Sequence, residues 1–242
     1  PMSEIAGRMA PLMGGYYLQR IHGGRGVLFS GAVGIRPAKV LILGAGVVGT
    51  NAARVCIGLH MDTVIMNRGM EGLQRIDEIF EGRVRTLPLT TRNLKEEVRN
   101  ADIIIGAILI PGGKTPVLMT RDMLKIMRKG SVIVDVSVDQ GGCVETSRPT
   151  THDHPVYEVD GIVHYTVANM PGAYPRTSTL ALTNATLPYI MSIADKGIEK
   201  AISEDSMVRS GLNTYKGGIV HAALAASLNI PFRRVEDRIK DG

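Results

Sequence analysis

Lys39-Val40-Leu41-Ile42-Leu43-Gly44-Ala45-Gly46-Val47-Val48-Gly49 joins an apolar run to a spaced set of glycines. The run carries no polar alternation, the pattern of a strand buried on both faces of a parallel sheet. The glycines match G-x-G-x-x-G, and a helical pattern from about 47 to 59 follows at once. Strand before and helix after is the context in which this common pattern becomes a phosphate-binding turn. Gly44 permits the tight turn, Gly46 removes a side chain that would block a pyrophosphate, and Gly49 lets the helix close on the sheet. The helix start then offers free N–H groups and a positive dipole end to phosphates. A glycine-rich turn without a ligand is the competing reading.

Outward from this turn, strand and helix patterns alternate. Strands are expected at about 62–66, 83–87, 102–107 and 131–136, with a further one from Ile162 to Val167. Helices are expected between them at about 70–79, 92–99 and 120–127. Repeated βα units specify an α/β fold with a doubly wound parallel sheet of the Rossmann kind. Upstream, residues 2–19 read as a helix interrupted near Pro11 and the Gly14-Gly15 pair, with Ser3 as a candidate N-cap and a start further upstream as the alternative. A glycine-rich loop, His22 to Gly34, follows it. After Pro175 the pattern turns helical. A long helix is expected at 177–201 with a kink near Leu187, ahead of Pro188. A polar stretch from Ser203 to Lys216 and a last helix at about 219–228 complete the tail. The expected division is 1–175, a dinucleotide-binding domain with its opening helix, and 176–242, helical segments of a second, incomplete domain. The chain starts Pro1-Met2-Ser3-Glu4, already in helical pattern, as expected of a polypeptide cut from something longer.

Composition narrows the class. Hydrophobic residues make up 44% of the chain, with 28 glycines but only seven Tyr, three Phe and no Trp, which suits a Val/Ile/Leu/Ala core. Cys56 and Cys143 are too few for a disulfide framework and lack metal-ligand spacing, which points to a reducing, cytoplasmic setting. No apolar run approaches the roughly 20 residues of a membrane span, and no secretory pattern opens the chain. The net charge of +5 is spread over scattered residues such as Arg83, Arg92, Arg121 and Lys125, without interleaved aromatics, so nucleic acid is not an expected partner.

The second strand of such a sheet ordinarily ends in an acid that accepts hydrogen bonds from the adenosine ribose. Here that position is Asn67, 18 residues beyond Gly49, followed by Arg68. Asn still bonds a ribose hydroxyl but brings no negative charge, and Arg68 could meet a 2′-phosphate. NAD is the expected cofactor, with NADP left open because the usual repulsion against phosphate is gone.

From Ser131 the sequence reads SVIVDVSVDQGGCVETSRPTTHDHPVY, and from His164 HYTVANMPGAYPRTSTLALTNATLPY. With GGRGVLFSG and LGAGVVGTNAAR before them, these runs resemble the alanine dehydrogenases over essentially the whole chain. The proton-translocating transhydrogenase α subunits share the fold and some of the stretches. The DQGG, SRPTTHDHP and VANMPG runs are far more specific than the glycine pattern. The resemblance implies NAD-dependent oxidation of L-alanine to pyruvate and ammonia, in a homo-oligomer that is a hexamer in the family. It also implies that the substrate-binding Arg and Lys and the catalytic His belong to an N-terminal domain. The chain as given is therefore expected to bind dinucleotide and to be an incomplete catalyst, its helical tail returning to the substrate domain.

Carried over residue by residue, the resemblance makes Asp139 the active-site aspartate, with Val138 beside it at the cofactor. Ser3 matches a residue near the cofactor phosphates, and Val47 and Val48 supply main-chain contacts. Ile108 and Leu109 line the adenine–ribose side, Val167, Ala168, Asn169 and Met170 approach the nicotinamide, and Arg148 matches a further cofactor position. Asn67 departs from the family's usual Asp. Two alternatives stay open: a non-catalytic NAD(P)-binding module like the transhydrogenase α subunit, and hydride transfer to another amino or keto acid such as a lysine-derived adduct.

The residues themselves support Asp139 independently. It falls just beyond the C-terminal end of strand 131–136, where open α/β sheets place ligands, and two glycines follow it, allowing close approach. Its competing role is a turn cap. His152, Asp153 and His154 read as a rigid surface turn between prolines rather than a metal cluster, and no metal is expected. His164 reads as a satisfied core or edge histidine, and Cys143 as a packing residue. The long helix and the opening helix both carry more apolar surface than a lone helix hides, so an oligomer is expected.

Overall fold

The computed structural model describes residues 1–109 and 115–240. Two compact units divide the chain, Pro1–Ser178 and Thr179–Gly242. The first is a seven-stranded sheet built from β1 (Lys39–Leu43), β2 (Asp62–Asn67), β3 (Arg85–Pro88), β4 (Ile103–Gly106), β5 (Val132–Asp135), β6 (Val156–Val159) and β7 (Ile162–Tyr165). The spatial order is β3-β2-β1-β4-β5-β7-β6. Every pairing is parallel except that of β6 with β7. The sequence order reverses between β1 and β4, and a crevice opens at such a switch point beyond the carboxyl ends of the strands. Apolar residues run unbroken through the central strands because both faces are covered: Leu41, Ile42, Val64, Ile65, Ile104, Ile105 and Ile133 have no exposed surface.

Helices α2 (Val47–Gly58), α3 (Met70–Phe80), α4 (Thr91–Asn100) and α5 (Arg121–Leu124) fall between strands, as the alternation required. The opening helix α1 (Met2–Tyr17) packs on α2 and on the sheet. It is continuous, without the expected break at Pro11 and Gly14-Gly15. Those small residues are its buried face: a Cβ at Gly14 would lie 2.7 Å from Ile103 Cγ2. Ser3 sits inside the first turn and does not cap it; the N-cap position is Pro1, with no side-chain bond.

Three further expectations need correction. Helix α5 stops at Leu124 instead of 127, because Lys125, Ile126 and Met127 N–H groups bond three residues back, to Asp122, Met123 and Leu124 carbonyls, in the tighter 3₁₀ manner. The long C-terminal helix α6 (Pro175–Lys196) ends at Gly197, whose φ of +78° separates it from α7 (Ile198–Glu204). Strand β6 was not expected at all. It forms the antiparallel edge through a two-residue turn, Asp160-Gly161, with both φ angles positive (+52° and +77°), the geometry that favours Asp-Gly in tight hairpins.

The second unit holds α7, α8 (Ser206–Ser210), a short hairpin of β8 (Thr214–Tyr215) and β9 (Gly218–Ile219), α9 (Ala222–Leu228) and α10 (Val235–Lys240). Ile202, Tyr215 and Val235 form its small core, with Val208, Leu212 and Val220 packed around them. Among the described residues, no helix is long and apolar enough to cross a membrane.

Candidate functional site

The turn after β1 is held from both sides. Gly44 N–H donates to the Met66 carbonyl at 2.8 Å, and the residue sits at φ +115°, where L side chains are strained. A Cβ at Gly49 would overlap the Gly44 carbonyl oxygen. These two glycines serve the fold. Gly46 does not: its φ of −79° and ψ of −163° suit any residue, and a Cβ there meets no atom of the described residues within 4 Å. The space it leaves lies outside the chain, at the N-terminus of α2, which no side chain caps. Uncapped first-turn N–H groups facing open space make a fit for an anion such as phosphate.

Two connected hollows flank this point. One, about 350 Å³, is lined by Ser3, Gly44 to Val48, Asn67, Gly72, Arg75 and Ala107 to Leu109. The other, about 200 Å³, shares Ser3, Val48 and Ala107 to Leu109 with it and runs on to Val136, Ser137, Asp139, Gln140, Asn169 and Pro171. Both lie over the switch point, where an extended ligand reaches β2 at one end and β5 at the other.

At the β2 end, Asn67 accepts a hydrogen bond from Ala45 N–H at 3.3 Å and donates one to the Gly69 carbonyl at 3.0 Å. Arg75 donates to the Ala45 carbonyl at 2.6 Å. One peptide residue of the turn is therefore gripped from both sides.

At the β5 end, the chain passes into a 3₁₀ turn, Val136–Gln140, that carries Asp139. Its anchor is Asp135, fully buried at the end of the strand. Its carboxylate accepts from Ser137 N–H (3.0 Å), Cys143 N–H (2.9 Å), Val144 N–H (3.4 Å) and Ser147 Oγ (2.6 Å). Burial pushes its pKa above the ordinary carboxylate value and outweighs the hydrogen bonds that pull it down. Ser137 Oγ in turn accepts from Ile108 N–H at 3.0 Å, tying the β4 and β5 loops together across the crevice floor. Asp139 is exposed, and its Oδ2 accepts from Asn169 N–H at 3.4 Å. Asn169 holds the left-handed conformation, φ +52°.

Ser3, Gly44, Gly46, Val47, Val48, Asn67, Ile108, Leu109, Asp139 and Asn169 thus line one continuous crevice. Gly49 lies one residue deeper in α2. Val138, Val167 and Met170 are buried beside the crevice and do not line it, and Ala168 is half-buried between them. Arg148 is placed elsewhere. Its guanidinium stacks 4.1 Å over the Tyr157 ring, and its N–H donates to the Tyr157 hydroxyl. His164 is buried with both ring nitrogens engaged, to Thr146 Oγ1 at 2.8 Å and the Ile162 carbonyl at 3.0 Å, and burial holds its pKa below the usual value. Cys143 is buried, and desolvation raises its pKa well above normal, which makes it unreactive. Asp135, Ser137, Gly72 and Arg75 were not foreseen. Asp135 had a visible signal, an acid closing a wholly apolar strand; Arg75 had none, since α3 had to be placed before its reach was known.

A family model described as "Alanine dehydrogenase/PNT, C-terminal domain" matches residues 10–222. An alanine dehydrogenase of Halomonas elongata is 49% identical over 96% of this chain and 62% of its own length. One from Bacillus subtilis is 48% identical over 100% of this chain and 64% of its own length. A solved structure of an L-alanine dehydrogenase superposes with a TM-score of 0.90 at 47% identity, covering 95% of this chain and 63% of that one. A transhydrogenase from Sinorhizobium meliloti superposes with a TM-score of 0.73 at 23% identity, a likeness of fold alone. This chain spans just under two thirds of the relatives it matches.

Proposed function

The chain belongs to the alanine dehydrogenase/PNT C-terminal domain family, and from that premise we propose that it is the dinucleotide-binding portion of an NAD-dependent alanine dehydrogenase. The observation that carries the reading is Gly46: its missing side chain answers to nothing among the described residues, beside an uncapped helix start. In this reading the α2 amides and Ser3 hold the diphosphate, and Asn67 bonds the adenosine ribose. Asp139 and Asn169 flank the nicotinamide end. When bound, the nicotinamide supplies the hydride acceptor for L-alanine, whose imine is then hydrolysed to pyruvate and ammonia. Asp139 keeps one carboxylate oxygen, Oδ1, without a protein partner among the described residues, available to a cationic ring or to the substrate ammonium.

The chemistry also needs a cation for the substrate carboxylate and a group that moves a proton at the amine. No Arg, Lys or His lines the Asp139 end of the crevice among the described residues. We assign those roles to the part of the relatives that this chain does not span, together with the helical tail's return to it. A homo-oligomer in a reducing cytoplasm belongs to the same reading. Its support is the exposed apolar residues of α6, Leu180, Leu187, Ile190 and Met191, and the unpaired, buried Cys56 and Cys143. A non-catalytic module is not favoured, because the relatives at 47–49% identity are named alanine dehydrogenases.

The test is a fluorescence titration of the purified chain with NADH, paired with an alanine-plus-NAD assay. Saturable binding with alanine turnover at least 100-fold below that of a relative supports the reading. Absence of binding overturns it, and turnover equal to a full-length relative overturns the division of roles.

A further inference from the structure

We infer that the β2 end of the crevice is built to accept a 2′-phosphorylated adenosine, so that this chain takes NADP(H) as well as NAD(H), with Arg75 and Arg68 as the phosphate-binding residues. The inference rests on the dinucleotide reading above and deepens it at one subsite.

The selectivity of such sites for NAD comes from a carboxylate at the end of the second strand, which bonds the ribose hydroxyls and repels a phosphate in their place. Here the position holds the uncharged Asn67, whose oxygen accepts from Ala45 N–H and whose nitrogen donates one N–H to the Gly69 carbonyl, leaving the second N–H for a ribose or phosphate oxygen. Among the described residues, no acidic side chain lines this end of the crevice. Glu71, the acid nearest in sequence, is exposed on α3 and is not part of the lining.

What the lining does contain is a guanidinium. Arg75 reaches from α3 to the Ala45 carbonyl, which orients it in the crevice wall beside Asn67. A guanidinium has five N–H donors in a rigid fork. The Ala45 bond uses one and leaves the others for an anion. Arg68, the residue directly after Asn67, is exposed and, like Glu71, is not part of the lining, so Arg75 is the cation in the wall and Arg68 the cation next along the chain; neither arginine makes an ion pair among the described residues. Gly72 completes the arrangement. A Cβ there would lie 2.6 Å from Asn67 Nδ2, so a larger residue at the first turn of α3 would push on Asn67 and fill the hollow between it and Arg75. Two unpaired arginines, an uncharged strand end and an open first turn all favour a doubly charged group over a bare hydroxyl.

The experiment titrates the full chain with NADH and with NADPH under one buffer, and repeats both titrations with Arg68→Ala and Asn67→Asp. The expected result is NADPH binding within 10-fold of NADH or tighter. Arg68→Ala lowers the NADPH-to-NADH affinity ratio at least 5-fold, and Asn67→Asp lowers it at least 10-fold. NADH binding with NADPH more than 10-fold weaker overturns this inference and leaves the dinucleotide reading standing. Binding of neither overturns both. An unchanged ratio in both variants also overturns it, because the phosphate would then be held elsewhere.

Discussion

Replacing Gly46 by Val separates folding from binding. The backbone at Gly46 is extended, so Val fits without strain, and its Cβ finds no atom of the described residues within 4 Å. Exchanging a tolerated N-cap glycine for a non-capping residue costs about 1 kcal/mol. Restricting the unfolded chain returns about 0.4–1 kcal/mol. The net change is within about 1 kcal/mol, or about 2–4 °C in Tm for a chain of this size. Binding responds quite differently. The side chain occupies the space over the uncapped α2 amides and removes at least two charge-assisted bonds to phosphate, each about 1.5–3 kcal/mol. At about 1.4 kcal/mol per tenfold, NADH affinity falls about 10²–10⁴-fold. Gly49→Ala is the control in the opposite sense. Its Cβ meets the Gly44 carbonyl, and overpacking of this kind costs about 1–3 kcal/mol or more, so its Tm drops below that of Gly46→Val. Thermal denaturation and NADH fluorescence titration on both variants decide the matter. A Gly46→Val protein that binds NADH within about threefold of the parent would refute the reasoning, as would one that melts lower than Gly49→Ala.

Asp135→Asn sets an amide N–H₂ against backbone donors and leaves about two of them unsatisfied, for a loss of about 2–5 kcal/mol measured by urea denaturation. Because the folded carboxyl pKa is raised by burial, its stability increment is fully present below the unfolded pKa and is lost as pH climbs through the folded one. The gap between wild type and variant should therefore shrink from acid toward neutral pH; a gap that widens would contradict the burial argument. Asp139→Asn is expected to weaken NAD⁺ more than NADH, shifting the ratio of their dissociation constants about 5- to 10-fold from an exposed charge interaction of about 1 kcal/mol. Calorimetry on both redox forms checks it, and an unaltered ratio places the ring elsewhere. Arg148→Ala removes a cation–π contact with Tyr157 and should cost about 0.5–1 kcal/mol of stability. Its NADH affinity should stay within about threefold of the parent; a tenfold loss would bring Arg148 back to the cofactor, where family resemblance alone had put it.

The central sheet was legible because its determinants are local. Lys39–Leu43, Ile103–Gly106 and Val132–Asp135 are apolar without alternation, and each is followed by residues that turn the chain. The Asp160-Gly161 turn was equally local and still went unread, since Glu158 breaks the apolar pattern of β6, whose outer edge is partly exposed. Pro11 and Gly14-Gly15 misled for the opposite reason. Their intrinsic preference is against helix, and tertiary packing of α1 on the sheet overrides it. In the site, Asn67 could be found by counting from the glycine turn, and Asp139 by its place just past the expected strand 131–136, in the turn after β5. Arg75 could not, because its role depends on where α3 returns over Ala45. Nor could the placement of Arg148, which is decided by a ring nine residues away in sequence on the antiparallel edge.

Charge along the crevice gives the proposed ligand a direction. Among the described residues, the β2 end is lined by one guanidinium and the amides of an uncapped helix, with no acid. The β5 end is lined by one carboxylate, Asp139, with no cation among the described residues. A dinucleotide carries its negative charge at the diphosphate and, when oxidised, a positive charge on the nicotinamide. Laid with the ring toward Asp139, the cationic ring meets a carboxylate; reversed, it meets the Arg75 guanidinium, while a neutral adenosine faces Asp139. A like-charge contact at about 4 Å costs about 1 kcal/mol in water and more where the ligand excludes solvent. Asp135 makes this polarity dependable. Its buried carboxylate ties Ser137, Cys143, Val144 and Ser147 around the turn that presents Asp139. The acid is therefore in position before any ligand arrives, and the ordering cost falls on folding instead of subtracting from affinity.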